Sequence, residues 1–260
     1  MPLMLGKLPP RLDERRFRLH EFLPRATPPP SADWYKGVTR WGMMLNDQLG
    51  DCVPAAIGHA VQVATLDTPT GNEVTPPDNI IENLYEKSCG YVPGDPSTDN
   101  GGVITDVLDF VRKNGIGIHK NLPLKHHRPT LYAYADPFPN DTNHIKESIA
   151  TLGMVDIGLQ LPNTAQNQVG GLWDVVGNPH TDPDSMPGSW GGHSTLCGKY
   201  DPQTLTCITW GALQPMTWRF WNTYVDESHA LLMHAWMQRF APTSGVDLLL
   251  MEGRLAELAG

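Results

Sequence analysis

Basic charge is scarce in this chain. Nineteen Lys and Arg stand against 28 Asp and Glu over 260 residues, a formal net charge of -9, and no basic cluster exceeds the short run Lys125, His126, His127, Arg128. A phosphate backbone needs a basic patch or stripe, so nucleic acid is not an expected partner. Long apolar runs are missing too. No stretch approaches the ~20 residues a membrane helix requires, and the start MPLMLGKLPPRLDERRF is broken by Pro and charge too soon to resemble a secretory signal. The expectation is a chain without membrane or secretory address.

Close cysteine spacing is a third absence. Cys52, Cys89, Cys197 and Cys207 lie far apart in unlike contexts, which favours free thiols in a chain with no export signal. A disulfide is one alternative; a zinc site from Cys197, Cys207 and His193 is another, without the usual two-residue ligand spacing. No metal or other cofactor is expected.

What the chain does have is turn chemistry and short apolar segments. With 24 Pro and 25 Gly at 40% hydrophobic residues, it reads as a compact α+β protein with constrained loops. Residues 1–40 are expected to form an extended, Pro-rich N-terminal arm. A main domain follows over 41–240, helical to about 125 and β-rich from about 126, then a C-terminal tail over 241–260. Helices are predicted from Cys52 through VPAAIGHAVQVATL, from about Pro76–Asp78, over Val103–Lys113 and over His144–Leu152. Strands are predicted over Leu131–Ala135, Met154–Leu161, Thr195–Tyr200, Thr204–Thr209 and Ala230–Met233. The tail SGVDLLLMEGRLAELAG suits a terminal helix.

The polar lead-in Asn46-Asp47-Gln48-Leu49-Gly50-Asp51 delivers Cys52 to a helix N-terminus, where free N–H groups favour a thiolate and can hold an oxyanion. Gln48 and Asn46 are candidate amide donors to that oxyanion; their plainer role is to bond the turn. His193, in SWGGHSTLCGKY, follows two glycines at the opening of a strand and is the candidate general base. His59, two helical turns beyond Cys52, is too far along the helix for that role. Each of these residues also has an ordinary reading as a packed or loop-bonded side chain.

The Cys52 segment, the later His193 and the Trp210-Gly211 step together resemble the papain-like cysteine peptidases. Asn100-Gly101-Gly102 before a helix and Asn114-Gly115-Ile116 after it are similar to further motifs of that family, in the same order. The resemblance spans about Leu45 to Gly211. It implies a two-lobe α+β fold with an N-terminal central helix and a C-terminal antiparallel sheet, with Cys52 as nucleophile and His193 as base and then acid. Two departures stand out. Val53-Pro54-Ala55-Ala56 follows the cysteine without the family's Trp, and Ile208 occupies the place of the Asn that orients the histidine. Thr209, after a one-residue shift, or Asp174 or Asp226 from a loop, is the candidate replacement. The chain also resembles uncharacterised papain-like proteins of bacteria and phages, which implies a cytoplasmic or virion location.

Three functions follow as expectations. The first is a cysteine peptidase or amidase acting on a peptide or amide substrate through a thioester. The second is a catalytically inactive papain-like structural or assembly protein, such as a phage virion component. Its partners would meet the N-terminal arm, the C-terminal tail or the Trp218–Tyr224 segment, although those aromatics read first as core, since half a lobe must be filled by large residues. The third is acyl transfer by the same Cys-His pair.

Overall fold

The computed structural model describes residues 3–11, 16–23, 25–66, 73–117, 131–138, 140–234, 237 and 245–259. The expected helical-to-β boundary near 125 and the Lys125–Arg128 run lie outside them.

The central helix, α2 (Cys52–Leu66), is buried from Cys52 through Ala64. A helix apolar on all sides must be covered on all sides, and Ala55, Ala56, Ala60 and Ala64 let neighbours approach its axis closely. Pro54 sits in the first turn, where no intrahelical N–H bond is lost. Two further helices flank it. α3 (Asp78–Cys89) buries Ile80, Ile81, Leu84 and Tyr85 and ends at Gly90, left-handed at φ 80°. α4 (Ile104–Asn114) buries Ile104, Val107, Leu108 and Val111 along one face and stops at Gly115. The start and stop residues are those expected from the sequence, within one or two positions.

The second half is an antiparallel sheet. Its strands are β2 (Leu131–Ala135), β3 (Val155–Leu161), β4 (Gly191–Tyr200), β5 (Thr204–Thr209), β6 (Ala212–Thr217) and β7 (Val225–Met233), in the order β2-β7-β3-β4-β5-β6. The short β1 (Ala32–Asp33) pairs with the far end of β4. Helix α5 (Thr142–Leu152), capped by Asp141 accepting from the His144 N–H at 3.1 Å, precedes β3. Strand β3 lies between β7 and β4 and is buried at six of its seven residues, with Val155, Ile157, Leu159 and Leu161 alternating with Asp156, Gly158 and Gln160.

One expectation needs amendment. The strand at Ala230–Met233 begins five residues earlier, at Val225, because Glu227, Ser228 and His229 are paired within the sheet and buried. Polarity hid those residues from a search for apolar runs. The aromatic segment Trp218–Tyr224 is a helix, α6, whose Phe220, Trp221 and Tyr224 are core, as the filling of the lobe led one to expect. The N-terminal arm also carries a helical turn, α1 (Leu19–Phe22), and sends Phe17, Leu19, Phe22 and Leu23 into the core. The terminal helix α7 (Leu248–Ala259) starts where Asp247 N–H meets Phe22 O at 2.8 Å.

Cys197 and Cys207 are register partners on β4 and β5, and all four cysteines are free thiols. Beside them the β4–β5 ladder shifts register at Gly198. The freed Gly198 N–H donates to Tyr35 Oη at 2.6 Å, and that hydroxyl lies 3.0 Å from Leu196 O and 3.1 Å from Thr206 O. One buried hydroxyl thus satisfies the bulge. Tyr35→Phe should lower unfolding free energy by about 1–3 kcal/mol, the cost of stranding a buried N–H and carbonyl, with the midpoint in urea moving down at unchanged slope.

Candidate active site

Cys52 is the first residue of α2, and Asp51 O accepts the Ala55 N–H at 3.0 Å to begin the helix. The approach to it is tightly wound. Met44 and Leu45 are both left-handed, at φ 57° and 66°, a conformation that costs a non-glycine residue energy and has to be held by its surroundings. Asn46 N–H to Met43 O at 3.2 Å and Gln48 N–H to Leu45 O at 2.7 Å close the turn.

The two amide candidates divide. Gln48 is exposed and its Nε2 donates to Asp47 Oδ1 at 3.5 Å. Asn46 is buried, and its Nδ2 donates to Leu49 O at 3.4 Å and Asp51 Oδ1 at 3.3 Å. Both amides therefore serve the turn in this structure, and neither carries a hydrogen bond to Cys52.

His193 lies at the start of β4, opposite Leu159 of β3, and is fully buried. Its Nε2 is 2.6 Å from Thr209 Oγ1 at the end of β5, while Nδ1 has no hydrogen-bond partner. The hydroxyl of Thr209 thus meets the ring next to the buried, apolar Ile208. Asp174 and Asp226, the other candidates, are engaged elsewhere: Asp174 with Arg219 at 2.9 Å and Asp226 with Lys7 at 2.7 Å. Trp210 stacks on the imidazole, centroids 4.4 Å apart and 14° from parallel. It does so with φ 47°, a strained main chain that turns the indole back over the Thr209–His193 bond.

Two backbone groups complete the surroundings of the sulfur. Burial pushes the Cys52 thiol up to about 12, and hydrogen bonds from the Ser194 and Gly6 backbones pull less strongly the other way. Ser194 adjoins His193; Gly6 belongs to the arm. Burial also lowers His193 to about 3. Both partners are therefore neutral in this closed state, rather than a thiolate and an imidazolium. His59, by contrast, bonds Gln62 across 3.2 Å and is a packed helix residue.

The arm is what closes the site. Met4 N–H donates to Asn46 O at 3.3 Å and Met4 O accepts from Trp210 Nε1 at 3.0 Å. Gly6 and Lys7 N–H both reach Gly192 O, at 3.2 and 3.0 Å, while Gly6 O accepts from Gly102 N–H at 2.8 Å. Leu8 N–H continues to Gly102 O at 2.9 Å. Five residues therefore bridge the helical wall and the sheet wall directly over Cys52. The fit leaves no room for a side chain at position 6, where a Cβ would lie 1.8 Å from Gly50 O. Nothing in the pattern GKLPP marks this role; it follows only from where the arm is laid.

Behind the site runs a buried charged chain. Lys7 pairs with Asp226 at 2.7 Å and Glu227 at 3.1 Å, Glu227 with His229 Nε2 at 3.0 Å, and His229 Nδ1 with Asp136 at 2.6 Å. Arg18 reaches Asp136 at 3.6 Å, Tyr134 sets its ring edge-on to His229, and Asp156 sits near enough to feel the imidazole's charge while accepting from Ser194 Oγ at 2.8 Å. Burial alone would lower His229, but the two carboxylates raise it to about 9. A raised folded value means that the native state holds the proton more tightly, so this stabilisation is complete below about pH 6.5 and is lost as pH rises towards 9. Asp156, raised by burial to about 7, completes its own titration in the lower part of that range and adds little to the loss. Between pH 7 and 9 the protein should lose about 2–3 kcal/mol of unfolding free energy, and His229→Gln should flatten that slope in urea titrations at each pH.

No protein-family model and no curated protein sequence matches this chain. Solved structures do. It is similar to xylellain, a cysteine protease from Xylella fastidiosa, at 18% identity over 88% of this chain and 96% of that one, with a TM-score of 0.66. Procathepsin L 3 of Tenebrio molitor larval midgut gives 13% identity, 84% and 76% coverage and a TM-score of 0.57. A Carica candamarcensis cysteine protease, CMS1MS2, solved in complex with E-64, gives 14%, 79% and 99%, and 0.54. With a central helix against an antiparallel sheet and these neighbours, the chain has the papain-like cysteine protease fold.

Proposed function

We propose that this chain is a cysteine peptidase or amidase, described here in a latent state in which its own N-terminal segment covers the catalytic pair Cys52 and His193. The observation that carries the reading is the disposition of His193. With Nε2–H donating to Thr209 Oγ1, Nδ1 keeps its lone pair, has no other partner, and belongs to the residue next to the one whose backbone meets the Cys52 sulfur. A free imidazole lone pair is what a base needs to take a thiol proton once the sulfur comes within its reach.

The chemistry then runs in two steps. The Cys52 sulfur attacks the substrate carbonyl as its proton passes to His193; the C–N bond breaks, the leaving amine takes that proton, and a thioester remains. Water, deprotonated by the same imidazole, cleaves the thioester and restores the thiol. The oxyanion is met by the Cys52 N–H at the helix N-terminus, with an amide from Gln48 or Asn46 joining only if the lead-in turn rearranges. Thr209 acts as a positioning residue, fixing tautomer and ring plane under Trp210.

The arm explains why the pair is neutral at rest. Burial by Met4–Leu8 raises the thiol and lowers the imidazole; readmitting water reverses both shifts and lets the proton transfer. In the full-length chain, iodoacetamide should label Cys52 slowly at pH 6–7. Gly6→Ala, which sets a Cβ against Gly50 O, should lift the arm and raise that rate by about tenfold or more, and adding His193→Ala should remove the gain. Equal, slow labelling of all four thiols in both forms, read by peptide mass spectrometry, would sink the enzyme reading in favour of an inactive papain-like scaffold.

A further inference from the structure

We propose that the pocket now holding the Lys7 side chain is the specificity pocket of this cleft, and that it selects substrates carrying a lysine next to the residue at the sulfur. This rests on the cleft being a peptidase or amidase site.

Lys7 follows Gly6, whose backbone lies near enough to Cys52 to pull on its thiol, and its own N–H is held by Gly192 O at 3.0 Å. Its main chain therefore lies on the wall that an extended peptide would use. From there its side chain, 0% exposed, runs inward to Asp226 Oδ1 and Oδ2 at 2.8 and 2.7 Å and to Glu227 Oε1 at 3.1 Å. Burying a flexible ammonium is unfavourable unless partners compensate it closely, and these partners are built in. Gln160 Nε2 holds Asp226 Oδ2 at 2.6 Å, and His229 holds the second oxygen of Glu227 at 3.0 Å.

The floor is shaped for the stem. At Gly158 a Cβ would stand 2.2 Å from Lys7 Cε and 2.6 Å from Asp226 Oδ1. The absent side chain is what opens the slot through which the lysine passes. When the arm leaves, the one cation that the described residues keep beside this carboxylate pair is His229, bonded to the 5% exposed Glu227 side chain and already shared with Asp136. The vacated pocket is net negative. A substrate lysine restores the ion pairs; a leucine leaves a buried carboxylate uncompensated, and a glutamate adds like charge.

The test uses the full-length Gly6→Ala/Lys7→Ala chain and a series of peptidyl acyloxymethyl ketones with Lys, Leu or Glu at each position in turn. Rates of Cys52 labelling are divided by the iodoacetamide rate on the same preparation. At one position the lysine reagent should exceed the leucine reagent by about tenfold or more, with glutamate slowest. Asp226→Asn in that background should bring the ratio towards one. n-Butylamine, a side-chain mimic needing no further substitution, should slow the lysine reagent and spare iodoacetamide. Fast iodoacetamide labelling of Cys52 with equal lysine and leucine rates at every position would overturn the pocket and leave the cleft reading standing. Failure of every reagent to single out Cys52 would overturn both.

Discussion

Met4–Leu8 is joined to the rest of the molecule by main-chain hydrogen bonds on two walls at once, to Asn46 and Gly102 on the helical side and to Gly192 on the sheet side. Everything distinctive about the site depends on that seam. It removes water from Cys52 and His193, and removal of water is the first cause of both of their shifted affinities for protons. It also carries Lys7 into the acidic slot, while Arg18, further along the arm, is set at Asp136 by its neighbours: Phe17 O and Leu19 N–H bond the Asp136 backbone at 2.8 and 3.0 Å. Main-chain bonds to residues distant in sequence, rather than any helix or strand of its own, hold this part of the arm.

Most of the fold could be read in advance because its elements obey local rules. The Ala-rich run after Cys52, Gly90 and Gly115 past helix ends, and Asp201-Pro202-Gln203 between β4 and β5 each state their structure in a few residues. The one misread strand has a plain cause. Val225–His229 is a strand whose polar side chains are satisfied by partners distant in sequence. Periodicity cannot report a compensation that only the folded chain supplies.

The site divides along the same line. The positions of Cys52 at a helix start and His193 at a strand start are local, and so is the helix-facing turn that Asn46 braces. Thr209 was within reach because it neighbours the Trp-Gly step, yet its contact with His193 spans 16 residues and two strands. The amide role of Gln48 and Asn46 had no such support, since a short polar loop offers its side chains to its own backbone first. Lys7 and Gly158 were invisible: a lysine among prolines and a glycine within a strand acquire meaning only when one passes over the other.

The elevated proton affinity of Cys52 has a chemical consequence apart from turnover. Sulfenic acid forms from thiolate, and a thiol held at about 12 presents roughly one thiolate in 10⁵ at neutral pH. With the sulfur also shut away from solvent, the folded chain holds this thiol in the form least open to peroxide.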